Sequence, residues 1–371
     1  MFRDYHIKNF NFKLVILIVL AIFYGTIIIN SANPSYLKKQ ILGIIISTVA
    51  IMIVSFIDYN IWERFMWVFY VLNLLILFAV RFTPLGKSVN NAKRWFAIGS
   101  SFTIQPSEFS KIILIIFLAF YLQKHKDDLN TFKRLANIAI LCAIPLFLIF
   151  KQPDLSTTLD IMFILLIMIY VAGLSHKIIG IALVIFIPLF SIFLWYVQTP
   201  GQKLLAKHQR ERILTFLHPN EYTTSTGWQQ YNSVMAIGSG MLKGKGLNNN
   251  NMATVKEANL ISEQQTDFIF SVIGEELGFI GCMILIALLL LIVLQCIKVG
   301  RKAKNDAGML IATGVGALIC IQSFINIGVA TSILPNTGLP LPFISYGLSS
   351  LLSTMIGMGL VINISFQRRK Y

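Results

Sequence analysis

Charged side chains are scarce in this chain: Asp, Glu, Lys and Arg make up 13% of its 371 residues, about half the share of a water-facing globular protein. Acids are the scarcer sign, 16 against 31 Lys and Arg, for a formal charge of +15. Cysteine is rare too. Cys142, Cys282, Cys296 and Cys320 lie in or at the ends of apolar runs, where thiols act as small hydrophobes, so neither a disulfide framework nor a metal-ligand spacing is present. The Walker spacing, with GK followed by Ser or Thr, is missing, which removes a P-loop nucleotide site. No nucleic-acid motif accompanies the positive charge, which points instead to anionic headgroups or phosphate-bearing lipids. An internal repeat is also lacking, so an inverted-repeat transporter gains no support.

What the chain has in abundance is hydrophobic length: 56% of its residues are apolar. A bilayer core takes roughly 20 apolar residues per helix. Runs that fit fall near residues 14 to 30, 40 to 57, 65 to 82, 107 to 122, 135 to 150, 156 to 172, 177 to 198, 267 to 297, 307 to 331 and 341 to 366. They lack the period of two of barrel strands, so backbone polar groups in hydrocarbon can be satisfied only within helices. The expectation is an all-α polytopic membrane protein of ten spans, one domain over residues 1 to 371. Asn30, Ser31 and Ala32 imitate a signal cleavage site, but the length of the first run and the nine runs after it favour an uncleaved span.

Basic residues set the orientation, because Lys and Arg near helix ends stay on the cytoplasmic side. With the N-terminus inside, sixteen are cytoplasmic: Arg3, Lys8, Lys13, Arg64, Lys124, Lys126, Lys133, Arg134, Lys177, Lys298, Arg301, Lys302, Lys304, Arg368, Arg369 and Lys370. The short outer connections hold only Lys38, Lys39, Arg81, Lys87, Lys93, Arg94 and Lys151. N-in and C-in is therefore expected. Two outer segments are long, residues 83 to 106 and above all the extracellular loop 199 to 265, and loops of that length are usually functional or disordered. The run Asn248 to Asn251 reads as a flexible tip.

Ionisable groups inside or at the edge of spans are costly and need a partner or a task. QPSEFSK places Glu108 and Lys111 three residues apart on one helical face, as a structural pair or as a pair that also shapes a polar cavity. In KQPDLSTTLD, Asp154 reads equally as a helix cap or a cavity group, and Asp160 as a structural partner. SEQQTDFIFSVIGEELGFIG gives Asp267, Ser271, Gly274 and Gly278 one small polar stripe at helical spacing, with Asp267 either a first-turn acid favouring the helix dipole or a functional group. Glu275 and Glu276 are expected to hold neighbouring helices together. GWQQYNSVMAIGSGMLKGKG carries Lys243 and Lys245 on a glycine-rich, mobile backbone able to reach a phosphate. NNAKRWFAIG puts Lys93, Arg94 and Trp95 at the interface, where Trp is commonly a plain anchor.

Taken in order, NNAKRWFAIG, QPSEFSK, QPDLSTTL, AIGSGMLKGKG, EQQTDFIFSVIGEELGF and PNTGLPLPFISYGLSS resemble the SEDS family (shape, elongation, division and sporulation), the RodA, FtsW and SpoVE proteins, over nearly the whole chain. The resemblance implies ten spans in the bacterial inner membrane, an outward-facing cavity, and polymerisation of lipid II into glycan strands beside a class B penicillin-binding protein. It also matches Asp267 to the family's essential aspartate, Arg94 and Trp95 to its RW pair, Glu108 and Lys111 to its buried ion pair, and Asp154 to the acid of its QPDLGT motif. Ser156, Ser262, Met241 and Leu348 depart from the family pattern, as does HPNEYTTST before Gly227. Short tails favour the RodA branch.

The implied reaction inverts the donor sugar. Asp267 would act as general base toward the attacking hydroxyl, and Lys93, Arg94, Lys243 and Lys245 would steady the departing polyprenyl diphosphate, a task that Mg or Mn could share. No other cofactor and no nucleic acid is implied. A flippase for the same lipid would depend instead on Glu108, Lys111 and Asp160, and a third reading is a scaffold for the transpeptidase. The orientation has a direct check: in a cysteine-free background, a cysteine at Asn249 is labelled in intact cells by an impermeant thiol reagent. Labelling only after permeabilisation reverses the topology.

Overall fold

The computed structural model describes residues 10–89, 92–98, 102–199, 201–202, 205, 207–218, 227–249 and 260–367. Arg3, Lys8, Arg368, Arg369 and Lys370 of the orientation argument lie outside the described residues, as do the last two residues of the asparagine run and most of HPNEYTTST.

The chain is built of helices α1 Phe12–Ala32, α2 Leu37–Phe56, α3 Ile61–Phe82, α4 Pro106–Lys124, α5 Phe132–Lys151, α6 Leu155–Val171, α7 His176–Gln198, α8 Lys207–Leu217, α9 Trp228–Ser239, α10 Ile269–Arg301, α11 Asp306–Ala330 and α12 Leu348–Phe366. Among the described residues nine helices are long and apolar enough to cross a membrane, and α6 is a shorter apolar helix. Nine of the ten expected runs begin and end within four residues of a helix. The tenth was expected from residue 341, but α12 starts at Leu348. Pro340 and Pro342 stand where helical N–H donors would be needed, and Phe343 has φ 65, so this stretch is a structured loop despite its apolar composition.

Two further elements escaped the hydropathy pattern. Residues 83 to 106 hold a small antiparallel sheet of β1 Gly86–Val89, β2 Ala92–Ile98 and β3 Phe102–Ile104, in that order. The long segment 199 to 265 contains α8 and α9 rather than loop alone.

Helices α4, α11 and α12 form the interior, most of each apolar stretch being buried, while none of the corresponding stretch of α7 is. An exposed apolar helix is what lipid contact asks for. The connections sort to two ends of the bundle. At one end Tyr346 donates its N–H to Gln265 (2.9 Å), Gln105 to Ser349 Oγ (3.1 Å), and Gln264 Nε2 to Ala32 O (3.2 Å). At the other, Tyr59 Oη donates to Asn305 (2.8 Å), Asn60 Nδ2 to Gln367 (3.3 Å), and the Ala307 N–H to Gln123 (2.7 Å).

Between the ends, the interior holds one fully buried cation among the described residues. Lys111 Nζ lies 3.0 Å from Glu108 Oε1 on its own helix and 3.2 Å from Asp160 Oδ2 on α6, and none of these side chains is more than 5% exposed. It also donates to Gln322 Oε1 on α11 at 3.3 Å. A lysine removed from water needs such a shell, and removing it would leave two carboxylates facing each other. Lys111→Met is expected to cost about 3 to 5 kcal/mol of stability, read as a lower unfolding midpoint in detergent. Adding Glu108→Gln and Asp160→Asn should restore most of the loss, and a triple variant no better than the single one would refute the charge-balance account.

Candidate active site

The end that carries the sheet brings together residues from four distant parts of the chain. Arg94 comes from β2. Lys87 pairs with Trp95 and Ser88 with Lys93, so the register skips Arg94. A bulge of this kind re-aims one side chain without ending the ladder. The guanidinium of Arg94 reaches to 3.6 Å from Asp154 Oδ2 and remains 31% exposed, while its Nε is buried without a hydrogen-bond partner. Its Cζ lies 6.0 Å from the Trp95 ring centroid. Lys93 is half-buried on the same strand.

Asp154 takes the capping role of the two its sequence context left open, and it also faces Arg94. Its Oδ1 caps α6 by accepting from the Thr157 N–H at 3.2 Å, and its Oδ2 accepts from Gln105 Nε2 at 2.9 Å and faces Arg94. Gln105 is the residue before α4. The motifs QPSEFSK and QPDLSTTL thus meet through one carboxylate, and Asp154 fixes the direction from which Arg94 approaches.

Asp267 lies in the turn before α10, two residues short of the helix, and so is not its first-turn acid. Its carbonyl accepts from Asn326 Nδ2 of α11 at 2.8 Å, and the same amide donates to Leu339 O at 2.7 Å. One turn away on α11, Gln322, which receives the Lys111 ammonium, donates to Pro340 O at 2.8 Å. Two amides four residues apart therefore hold both the 339–340 loop and the backbone of Asp267. Gly338, at φ +75, passes so close that a Cβ there would sit 3.0 Å from Asp267 Oδ2.

Asp267 keeps part of its surface open to solvent. Burial pushes its carboxyl up to about 6, Arg94 and then Arg212 pull it down, and Glu263 works against them. Arg212, on α8, also lies within the fields of Arg94 and Asp154. The carboxyl is held above the usual carboxylate range by burial, within the field of two guanidiniums.

The glycine-rich segment behaves differently from the mobile strap expected of it. Its backbone is tied to α10: Lys245 N donates to Glu275 O (2.9 Å), Gly246 N to Glu276 O (2.9 Å), Phe279 N to Met241 O (2.9 Å) and Ile280 N to Leu242 O (3.2 Å). α10 breaks its helical geometry at Gly278, φ 64 and ψ −163, which ends the regular stripe drawn from Asp267 to Gly278. Lys245 Nζ sits 2.8 Å from Glu275 Oε1, and Lys243 is exposed. Among the described residues no hydrogen bond or ion pair joins either lysine to Arg94 or Asp267. Glu276 accepts from Ser31 Oγ of α1 at 2.6 Å.

Sequence reasoning missed Arg212, Gln322, Asn326 and Gly338. The amides carried a signal, since Gln and Asn four apart in an apolar run are polar groups that need hydrogen-bond partners away from water. Arg212 carried none, because nothing marks a basic residue in a long loop as returning to the bundle.

With this geometry in view, the FtsW, RodA and SpoVE cell cycle protein family matches residues 5–370. The chain belongs to the SEDS family. Similar relatives include the probable peptidoglycan glycosyltransferase FtsW of Geobacter metallireducens, 33% identical over 97% of this chain and 95% of the relative. Stage V sporulation protein E of Bacillus subtilis is 32% identical over 95% and 96%, and peptidoglycan glycosyltransferase MrdB of Escherichia coli K12 is 31% identical over 96% and 93%. Relatives with three different names thus stand at nearly the same distance from this SEDS chain. A chain of a solved peptidoglycan synthase complex, described as coordinating polymerization and crosslinking, superposes with TM-score 0.80 at 25% identity over 96% of this chain and 97% of its own. The rod shape determining protein RodA of Thermus thermophilus shares the fold, with TM-score 0.69 at 23% identity over 98% of each chain.

Gly338→Ala should cost about 1 to 2 kcal/mol, because the backbone there is left-handed and the new methyl group would press on Asp267 Oδ2. Gly180→Ala, on α7 with nothing within 4 Å of an added Cβ, should not lower the unfolding midpoint. Equal midpoints for the two variants would argue against the close approach.

Proposed function

We propose that this SEDS protein is a peptidoglycan glycosyltransferase that polymerises lipid II into glycan strands, with Asp267 as its general base. The observation that carries the reading is the half-buried Asp267 carboxyl, raised to about 6 and within the fields of Arg94 and Arg212 at one end of a lipid-embedded bundle.

The 4-hydroxyl of one sugar attacks C1 of another, and the bond from C1 to the diphosphate oxygen breaks. One displacement turns an α-linked donor into a β-linked product. The hydroxyl proton passes to Asp267, which must be a carboxylate to receive it. The electron pair leaves with the polyprenyl diphosphate, whose charge grows as the bond breaks and is met by Arg94, Arg212 and Lys93. A diphosphate leaves without a strong acid, so a second catalytic carboxyl is not required. Asp154 acts on Arg94 rather than on substrate. Lys245 is spent on Glu275, leaving Lys243 as the loop cation able to turn toward phosphate.

The residues do not form a convincing cradle for Mg or Mn: Asp154 is occupied by Gln105, Thr157 and Arg94, and two guanidiniums attend Asp267. No step is routed through a metal. Glu108, Lys111 and Asp160, the charges a flippase would move past its cargo, are closed on one another in full burial, which favours polymerisation over transport. In this reading the protein lies in the bacterial inner membrane, N- and C-termini inside, with the Asp267 end facing the exterior and a class B penicillin-binding protein crosslinking its product.

Purified protein with its transpeptidase partner and labelled lipid II should make glycan strands. Asp267→Asn should lower the rate about 100-fold or more, and Arg94→Ala by a comparable factor. Because the carboxylate is the active form, the wild-type rate should fall about tenfold per pH unit below about 6 and be level above it. Normal polymerisation by folded Asp267→Asn would remove the assignment.

A further inference from the structure

At the end of the bundle opposite Asp267, a cavity of about 410 Å³ opens between the start of α1 and the last turns of α10. Its walls are Phe10, Phe12 and Val299, the amides of Asn11 and Gln295, and the ammonium-bearing chains of Lys13, Lys298 and Lys302. Every ionisable group in this lining is basic, and no acid is among them. Asn11 Nδ2 donates to Gln295 Oε1 at 3.4 Å, which ties the two helices across the cavity floor, while Asn11 Oδ1 already caps α1 at Leu14 N. Among the described residues none of the three lysines has a carboxylate within 4 Å.

Both helices are membrane spans, and the cavity lies at their ends. That is the depth at which lipid headgroups sit, and Phe12, 65% exposed, flanks it toward the apolar side. Three exposed lysines line this one cavity with no acid among its walls, so its field favours an anion. Aromatic and aliphatic walls beside exposed lysines fit a molecule with a charged head and a hydrocarbon body.

We propose that this cavity binds the phosphodiester headgroup of an anionic glycerophospholipid from the surrounding leaflet. Lys13, Lys298 and Lys302 contact the phosphate oxygens, and Asn11 and Gln295 donate to the headgroup's remaining oxygens. The site joins the first span to the tenth-element helix that carries the Asp267 turn, so occupancy stabilises the bundle at the end remote from chemistry. The inference does not depend on the polymerase reading, since it requires only that the chain spans a bilayer.

The test uses full-length protein in neutral detergent micelles, titrated separately with phosphatidylglycerol, phosphatidylcholine and inorganic phosphate, read by native mass spectrometry and by unfolding midpoint. Phosphatidylglycerol should be retained and should raise the midpoint, whereas phosphatidylcholine and inorganic phosphate should not. Lys13→Gln, Lys298→Gln and Lys302→Gln together should weaken retention strongly, by about fivefold for each lysine removed. Lys124→Gln, Lys133→Gln and Lys177→Gln make the same change of charge at the same end outside the cavity, and should retain the lipid as wild type does. If the triple cavity variant does not fold, Lys302→Gln alone and its rescue by Lys302→Arg carry the measurement. Equal loss in the two triple variants, or an inorganic phosphate shift as large as that of the lipid, overturns the proposal.

Discussion

Lys111 lies where a lysine is least welcome, in the middle of a lipid-embedded bundle and out of reach of water. Its ammonium is tolerated because Glu108 and Asp160 neutralise it from two sides and Gln322 accepts a further hydrogen bond. An ion cluster of this kind contributes little net stability against an apolar replacement of the whole set. What it supplies is geometry, since Lys111 joins α4 to α6 through Asp160 and to α11 through Gln322. Through Gln322 that link reaches Pro340 O, and one turn further Asn326 fixes Leu339 O and the carbonyl of Asp267. The buried cation and the turn that carries Asp267 are thus linked through two amides of α11.

The same economy governs the site itself. Asp154 has two oxygens and uses both, one to cap the start of α6 and one to receive Gln105 and face Arg94. A cap is among the most rigid places to mount a carboxylate, because the helix N-terminus holds it as firmly as it holds the helix. Arg94 is aimed at it by a bulge in a short sheet and keeps about a third of its side chain exposed. A guanidinium oriented on one side and open on the other is suited to an anion whose charge grows during reaction. Asp267 is poised differently, by burial that nearby cations only partly offset, which keeps its proton affinity high enough to accept a proton and low enough to be charged near neutral pH.

The long spans were legible because hydrocarbon admits few solutions: a run of some 20 apolar residues must close its own hydrogen bonds. The start of α12 was misread for the complementary reason. Apolar composition in PLPFISYG reports burial, not helix, and prolines decide the backbone locally. The strands around Arg94 and the helices α8 and α9 were invisible because each is too short to show a period between segments far more hydrophobic. Single site residues stood out as charges in the wrong solvent, but their pairing did not. That Arg94 would find Asp154, or that Arg212 would return to Asp267, is set by packing of elements more than 50 residues apart.

The glycine segment makes the relation between motif and structure concrete. A Cβ at Gly240 would lie 1.9 Å from Gly274 O, and one at Gly244 would lie 2.1 Å from Glu276 O. Gly278 is left-handed and meets Gly244 N and Leu242 in the same way. AIGSGMLKGKG and GEELGF are thus two faces of one contact, in which a loop backbone lies against a helix backbone and any side chain would part them. The contact also explains the charges it contains, since Lys245 and Glu275 are brought together by neighbouring backbone bonds and neutralise each other where water is displaced. The glycines of this segment accordingly serve to seat it on α10, the helix that follows the Asp267 turn. With Lys245 N and Gly246 N bonded to the carbonyls of Glu275 and Glu276, the segment is seated on that helix rather than tethered loosely beside it.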